Sequence, residues 1–135
     1  MSDSHVLYAD GASRGNPGPA AIGFVLMDPE GTTVVERGAV IGTATNNVAE
    51  YQALIAGLEA ALAHDVRDLE VRLDSLLLVR QVSGEFRVKA ENLKPLHRRA
   101  SRLLRDFDRV KVGHVRRESN TRADALANVA LDEDR

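Results

Sequence analysis

Three short apolar runs separated by turn residues open the chain. Residues 5–9 form the first run, residues 20–27 the second, and Thr32 to Ile41 holds the third. A stretch rich in Gly, Asn and Pro at 11–19 separates the first two, and residues 28–31 form a tight turn before the last. Such short connections predict an antiparallel meander of three strands, because parallel neighbours need long crossovers.

Helical and strand-like periodicities alternate along the remainder of the chain. They predict a helix from Val48 to Ala63, a strand over 69–73, a helix from Leu76 to Val82, a helix from Asn92 to Phe107, a strand from Val110 to Val115 and a helix from Arg122 to Ala130. The order βββαβααβα predicts one α/β domain over residues 1–135, with a five-stranded mixed sheet flanked by helices. The fourth strand should lie parallel to the first, reached by a right-handed crossover. Residues 131–135 are expected to form a frayed acidic tail.

The composition is that of an ordinary globular domain, with 44% hydrophobic and 28% charged residues. The absence of cysteine excludes disulfides and thiolate metal sites. The N-terminus shows no leader pattern, and no apolar run approaches the ~20 residues that a membrane-spanning helix needs. We expect a cytoplasmic protein that acts as a monomer.

A net charge of −2 conceals a strong asymmetry along the chain. Residues 1–71 carry three basic and ten acidic side chains, whereas residues 72–122 carry fourteen basic and six acidic ones. A basic segment in an acidic protein indicates a surface that binds polyanions. The alternative is that these side chains solvate exposed helix faces, and composition does not separate the two interpretations.

Four acidic residues fall at one edge of the predicted sheet. Asp10 follows the first strand at the point where it stops being apolar, and Asp74 follows the fourth. Glu50 and Asp124 are predicted in the first turns of the first long helix and of the last helix. Ligands of such sheets gather at the carboxyl ends of the parallel strands, where the strand order switches.

Each of these acids has a simpler explanation when it is taken alone. An Asp opens turns and caps helices, and a first-turn acid favours the helix dipole. Together, however, four carboxylates at one edge repel one another unless cations bridge them. Oxygen ligands without a His or Cys cluster select hard ions such as Mg²⁺ or Mn²⁺. Two such ions suit an in-line phosphoryl displacement.

Four segments of the chain stand out by their residues and their order. They are Asp10 to Pro19 (DGASRGNPGP), Thr45 to Glu50 (TNNVAE), the pair Asp74-Ser75, and His114 to Asp124 (HVRRESNTRAD). In these segments the chain resembles ribonuclease H, type 1, the endonuclease that cuts the RNA strand of RNA–DNA hybrids. The stretch from Gly84 to Asn92 is too short for the basic handle of some members, so the chain resembles the handle-less subgroup.

The resemblance implies a ribonuclease H-like fold and a two-metal site. Asp10 would bridge both ions, and Asp124 would complete the site of the ion that activates the attacking water. Glu50 and Asp74 would hold the second ion, which stabilises the leaving 3′ oxygen. The implied products are a 5′-phosphate and a 3′-hydroxyl, with Mg²⁺ as the cofactor and Mn²⁺ as the alternative.

The resemblance also implies positions that grip the substrate. Asn16, Asn46 and Asn47 match positions that contact the minor groove of the hybrid, and Thr45 matches one that holds a DNA phosphate. Helix capping is the alternative role for the two adjacent asparagines, and both roles can coexist. His114 has the spacing of a catalytic-loop histidine in some members, but it also continues a strand alternation, which favours a purely structural residue.

Departures from the family pattern keep other functions open. Leu76 stands where a Gln often follows the Asp-Ser pair, which removes or replaces one minor-groove contact. The resemblance also leaves duplex RNA open as a substrate, because some related proteins cut it. A 3′ exonuclease on the same sheet would need a Glu two residues after the first Asp, where Ala12 stands. The rival from another class is a nucleic-acid-binding module without catalysis.

Overall fold

Along residues 3–134, which the computed structural model describes, five strands and four α-helices follow one another in the predicted order. Their bounds are β1 His5–Ser13, β2 Gly18–Met27, β3 Thr33–Ala44, α1 Asn46–Ala63, β4 Asp68–Leu73, α2 Leu76–Val82, α3 Lys94–Arg105, β5 Arg109–His114 and α4 Thr121–Glu133. A 3-10 turn at Arg117–Ser119 joins β5 to α4. In this part of the chain, no helix is both long enough and apolar enough to cross a membrane.

The strands form one sheet in the order β3-β2-β1-β4-β5. β2 pairs antiparallel with both β1 and β3, and β4 pairs parallel with both β1 and β5. This confirms the predicted mixed sheet, in which three antiparallel strands are followed by two parallel ones. α1 is the crossover that carries the chain from β3 at one edge to β4 beside β1.

α1 supplies much of the core that covers one face of the sheet. Leu54 and Leu58 are fully buried in this helix, and Leu7 of β1 lies directly beneath Gly57. Ala100 of α3 belongs to the same buried cluster, and α3 packs mainly against α1. Each fully buried leucine contributes about 1.5–3 kcal/mol relative to an exposed one. α1 is thereby anchored to β1.

Two glycines beside Asp10 allow helices to approach both faces of the sheet. A Cβ atom at Gly11 would lie 2.2 Å from the carbonyl carbon of Ala49 in α1, which leaves no room for a side chain. A Cβ at Gly23, the cross-strand partner of Asp10, would lie 2.0 Å from the carbonyl oxygen of Ala123 in α4. Because neighbours along a strand face opposite sides, α1 and α4 cover opposite faces at this point.

β1 is longer than the sequence predicts. Its pairing with β2 continues to Ser13, whereas its pairing with β4 ends at Ala9 and Leu73. Asp10 therefore lies inside β1, paired with Gly23, rather than after the end of the strand. The turn-type residues that follow Asp10 stay extended because β2 supplies their backbone partners.

α1 begins earlier than predicted, and α4 ends later. Thr45 is the N-cap of α1, so Glu50 is the fifth residue of the helix and lies in its second turn instead of its first. α4 continues through Glu133, so the predicted frayed tail is wrong for residues 131–133. The reason is that Leu131 is buried against Ala21 of β2. Residue 135 of the predicted tail lies outside the described residues.

The Gly11 contact predicts a position-specific loss of stability. In Gly11→Ala the added methyl group would overlap the α1 backbone, and we expect unfolding by urea to show a loss of about 1–3 kcal/mol. Gly113→Ala is the matched control, because a Cβ at this β5 position meets nothing within 4 Å. Equal stabilities of the two variants would show that the approach of α1 to β1 is not tightly constrained.

Candidate active site

Three carboxylates converge where β1 and β4 separate. β4 ends at Leu73, opposite Ala9, and Asp74 follows it, while β1 continues through Asp10. Glu50 reaches the same point from α1. Each of the three acids offers an oxygen atom, and these oxygens all lie within 4.8 Å of one another. The structure therefore brings together three of the four predicted acids as one candidate metal site.

The fourth predicted acid also reaches this cluster. Asp124, in the first turn of α4, forms a side-chain hydrogen bond with Asp10. Asn128, one turn further along α4, donates from Nδ2 to Asp124 Oδ1 at 3.2 Å. Asp10 thus interacts with both Asp74 and Asp124.

Burial and mutual repulsion change the acidity of this cluster. Burial, followed by the charge of Asp74, raises the pKa of Asp10 to about 8. Burial also raises the pKa of Glu50 to about 7, although a hydrogen bond from Ser75 and the charge of Arg117 act in the opposite direction. Without a cation, the cluster therefore retains protons at neutral pH.

This donor set fits hard divalent cations. All donors are carboxylate oxygens, with no thiolate in the chain. Burial, and after it the repulsion between the acids, disfavours their charged forms, and a divalent cation would supply compensating charge. Asp10, Glu50 and Asp74, with Asp124 beside them, are the residues that could hold such ions.

Asp74 is held by its neighbours instead of capping α2. Ser75 is the N-cap of α2, and its Oγ accepts a hydrogen bond from the Leu78 N–H at 3.2 Å. The capping role considered for Asp74 is therefore wrong. Asn120 donates from Nδ2 to Asp74 Oδ2 at 3.1 Å and to the Ala9 carbonyl oxygen at 3.0 Å.

The predicted substrate-binding residues cluster at the start of α1. Thr45 Oγ1 accepts from the Val48 N–H at 3.2 Å, so Thr45, and not either asparagine, caps α1. Asn16 Oδ1 accepts from the Asn46 N–H at 3.1 Å and so ties the turn after β1 to the helix. Asn46 and Asn47 are the first two residues of α1 and are exposed, so neither of them is its N-cap. Their side chains remain available to a ligand.

His114 is the last residue of β5, which agrees with the strand interpretation of its position. Its ring is exposed, and Nε2 lies 3.2 Å from the carbonyl oxygen of Asp74. The predicted histidine is therefore next to the acidic cluster, bonded to the backbone of one of its members.

Sequence reasoning missed the residues that support the cluster. In the sequence, Asn120 lies within the segment that ends at Asp124, and Ser75 is part of the Asp-Ser pair. Arg117 is one of the basic residues of the segment from 72 to 122. Their spacing in the sequence gave no signal of burial or of contact with the acids.

Comparison with known proteins gives a consistent result along the whole chain. A reverse transcriptase-like family profile matches residues 8–130. Ribonuclease HI of Halobacterium salinarum is 52% identical over 126 residues, which cover 93% of this chain and 63% of that protein. The chain spans 35% of the length of three mycobacterial relatives that are 47% identical to it.

Solved structures match the fold closely. The crystal structure of RNase H1 from Halobacterium salinarum has a TM-score of 0.94 and 51% identity, covering 96% of this chain and 98% of that one. LC11-RNase H1, crystallised in complex with an RNA/DNA hybrid, has a TM-score of 0.91 and 42% identity, again with 96% and 98% coverage.

The raised pKa values of the acidic cluster predict how the metal-free protein responds to pH. Asp10 binds its proton more tightly in the folded chain than in the unfolded one, so stability falls as pH rises from the unfolded pKa of about 4 to the folded pKa of about 8. Asp10→Asn removes this penalty. In chelator, we expect urea unfolding to show a gain in stability over wild type that is about 1–3 kcal/mol larger at about pH 9 than at about pH 5.

Added Mg²⁺ supplies the control for this pH experiment. It should stabilise the wild-type chain and leave the Asp10→Asn variant nearly unchanged, because the cation replaces the proton in balancing the carboxylates. A gain in stability that is independent of pH would contradict the assigned acidity of Asp10.

Proposed function

Because the chain belongs to the ribonuclease HI family, we propose that it is a metal-dependent endoribonuclease that hydrolyses the RNA strand of RNA–DNA hybrids. The observation that carries the proposal is the cluster of Asp10, Glu50 and Asp74 at the separation of β1 and β4. The ribonuclease H-like sheet and the relative crystallised with an RNA/DNA hybrid support it. The cleavage products would be a 5′-phosphate and a 3′-hydroxyl.

Two Mg²⁺ ions are the proposed cofactors, with Mn²⁺ as the alternative. Asp10 would contact both ions, Asp124 would contact one of them, and Glu50 with Asp74 would hold the other. When bound, the ions stabilise the charge that develops on the attacking and leaving oxygens of the phosphodiester. The protein's contribution is to fix the carboxylates at the edge of a rigid sheet, where they need little rearrangement.

The start of α1 is the proposed reading surface for the hybrid. Asn16, Asn46 and Asn47 would meet acceptors in the minor groove, and Thr45 would hold a phosphate of the DNA strand. Amides and backbone donors suit this task because minor-groove edges and 2′-hydroxyls offer acceptors along the helix. Glu50, one turn further into α1, would lie beside the 2′-hydroxyl that distinguishes RNA from DNA. Cleavage of duplex RNA in addition to the hybrid is the alternative.

His114 is proposed as a residue that assists proton transfer or product release. The supporting observation is its exposed ring beside the Asp74 carbonyl. An imidazole changes its protonation near neutral pH, which suits either task.

Two rival functions receive less support from the structure. The residue two positions after Asp10, where an exonuclease would carry its Glu, is Ala12, and it packs against the cluster formed by Ala21 and Leu131. A module that only binds nucleic acid would have no use for buried carboxylates that repel one another. Such carboxylates reduce stability, and divalent cations would offset that cost.

Cleavage of an end-labelled RNA–DNA hybrid tests the proposed function. With Mg²⁺, the wild-type chain should cut the RNA strand internally, and excess chelator should abolish the cuts. Asp10→Asn should lower the cleavage rate by roughly 10³-fold or more, because the variant loses the metal ions. Its affinity for the hybrid should stay within about threefold of wild type, because the residues proposed to bind the hybrid are unchanged. Duplex RNA and duplex DNA run beside the hybrid measure the strictness of substrate choice.

Two outcomes of the cleavage assay would change the assignment. An Asp10→Asn variant that cuts at the wild-type rate would show that the site is elsewhere. Wild-type protein that retains the hybrid without cutting it, under both Mg²⁺ and Mn²⁺, would establish the binding module instead.

Substitution of two exposed asparagines, one inside the reading surface and one outside it, tests the role of this surface. Asn47→Ala should raise the KM for the hybrid about 5- to 20-fold, as expected for one or two lost hydrogen bonds, with kcat nearly unchanged. Asn92→Ala, an exposed position before α3, is the matched control and should leave both constants at their wild-type values. Equal KM values for the two variants would remove Asn47 from the interface.

A further inference from the structure

We propose that Asn120 is a positioning residue of the metal site, whose side-chain amide holds the Asp74 carboxylate in the orientation that binds the cation. The inference rests on the proposed function, because it assumes that the carboxylates bind metal. It goes beyond that function in assigning a residue that carries no charge and is almost entirely buried, with 1% of its surface exposed.

The amide bridges the point where the two central strands separate. Its Nδ2 donates to the carbonyl oxygen of Ala9, the last β1 residue paired with β4, at 3.0 Å. The same nitrogen donates to Asp74 Oδ2 at 3.1 Å. The two hydrogens of one NH₂ group therefore link the Asp74 side chain to β1, the strand that carries Asp10.

The chemistry of the partners fixes the orientation of this amide. Both atoms that face Nδ2 are acceptors, so a reversed amide would place Oδ1 against two oxygens. In the observed orientation Oδ1 is buried and has no hydrogen-bond partner among residues 3–134. An orphaned acceptor reduces stability, and the two hydrogen bonds of Nδ2 are what offset the loss.

The position of Asn120 in α4 makes the arrangement more specific. Asn120 is the N-cap residue of α4, where an asparagine side chain ordinarily accepts from the first turn of the helix, yet it makes no such bond here. Its backbone carbonyl accepts the first hydrogen bond of the helix, from the Asp124 N–H at 3.2 Å. One residue thus links Asp74 through its side chain and Asp124 through its backbone.

A residue that orients a metal ligand affects metal affinity without touching the substrate. We expect Asn120→Ala to weaken Mn²⁺ binding about 10- to 100-fold in calorimetric titration of the protein without nucleic acid. The kcat for hybrid cleavage at fixed Mn²⁺ should fall in parallel. The KM for the hybrid should stay within about twofold, because a buried side chain has no access to the substrate.

Tyr51→Phe is the matched control for a purely structural effect. Tyr51 is equally buried and donates from its hydroxyl to Gln81 Oε1 at 2.7 Å, and neither of these residues is a proposed metal ligand. Both variants lose a buried hydrogen bond and should unfold at lower urea concentrations. Only Asn120→Ala should lose Mn²⁺ affinity.

A measurement on the wild-type chain decides the matter even if Asn120→Ala does not fold. The side-chain NH₂ resonances of Asn120, followed by NMR, should shift on addition of Mg²⁺, because their carboxylate acceptor then shares its charge with the ion. Those of the exposed Asn92 should not shift.

The possible failures are distinguishable. Wild-type protein that neither binds Mn²⁺ nor cuts the hybrid overturns the proposed function. Wild-type protein that does both, with unshifted Asn120 resonances or with wild-type Mn²⁺ affinity in Asn120→Ala, overturns only the positioning role.

Discussion

The close approach of two helices to the middle of β1 is the constraint on which the site depends. Gly11 allows the backbone of α1 to lie against one face of the sheet, and Gly23 allows that of α4 to lie against the other. Asp10 is the residue between these contacts, since it precedes Gly11 and pairs with Gly23. A side chain at either glycine would move a helix, and with it the carboxylate that the helix carries.

The same packing buries carboxylates close to one another, and the other side chains of the protein only partly offset the resulting cost in free energy. Burial raises the pKa of both Asp10 and Glu50, and the nearby hydroxyl and guanidinium of Ser75 and Arg117 only partly compensate at Glu50. A site arranged for stability would disperse these acids or pair them with bases. Functional sites commonly hold such unfavourable arrangements because the rest of the fold overrides them. Here the hydrophobic core that α1 forms with the sheet contributes stability that offsets this cost.

Much of the fold and of the site could be predicted from the sequence, since both follow from local rules. Periodicity identifies the strands and helices, and connection lengths decide which strands run antiparallel. The edge at which Asp10 and Asp74 meet then follows from the parallel arrangement of their strands. What could not be predicted depends on partners distant in sequence: β1 extends to Ser13 because β2 pairs with it, and Asn120 is diverted from capping because Asp74 lies beside it.

The structure also shows which basic residues of the charged segment are available to bind a polyanion, a question that composition leaves open. Several bases of the segment from 72 to 122 are neutralised by acids: Arg72, Arg80, Lys94, Arg99 and Arg122 each form an ion pair. Arg98, Arg102 and Arg105 are exposed on α3 and have no acidic partner within residues 3–134. Unpaired basic side chains of this kind attract any polyanion, and salt weakens the attraction. The attraction does not depend on the base sequence of a nucleic acid or on whether its sugar is ribose or deoxyribose. In the proposed function, discrimination of RNA from DNA would therefore come from the carboxylate edge and the start of α1, where donors and acceptors are held at fixed positions.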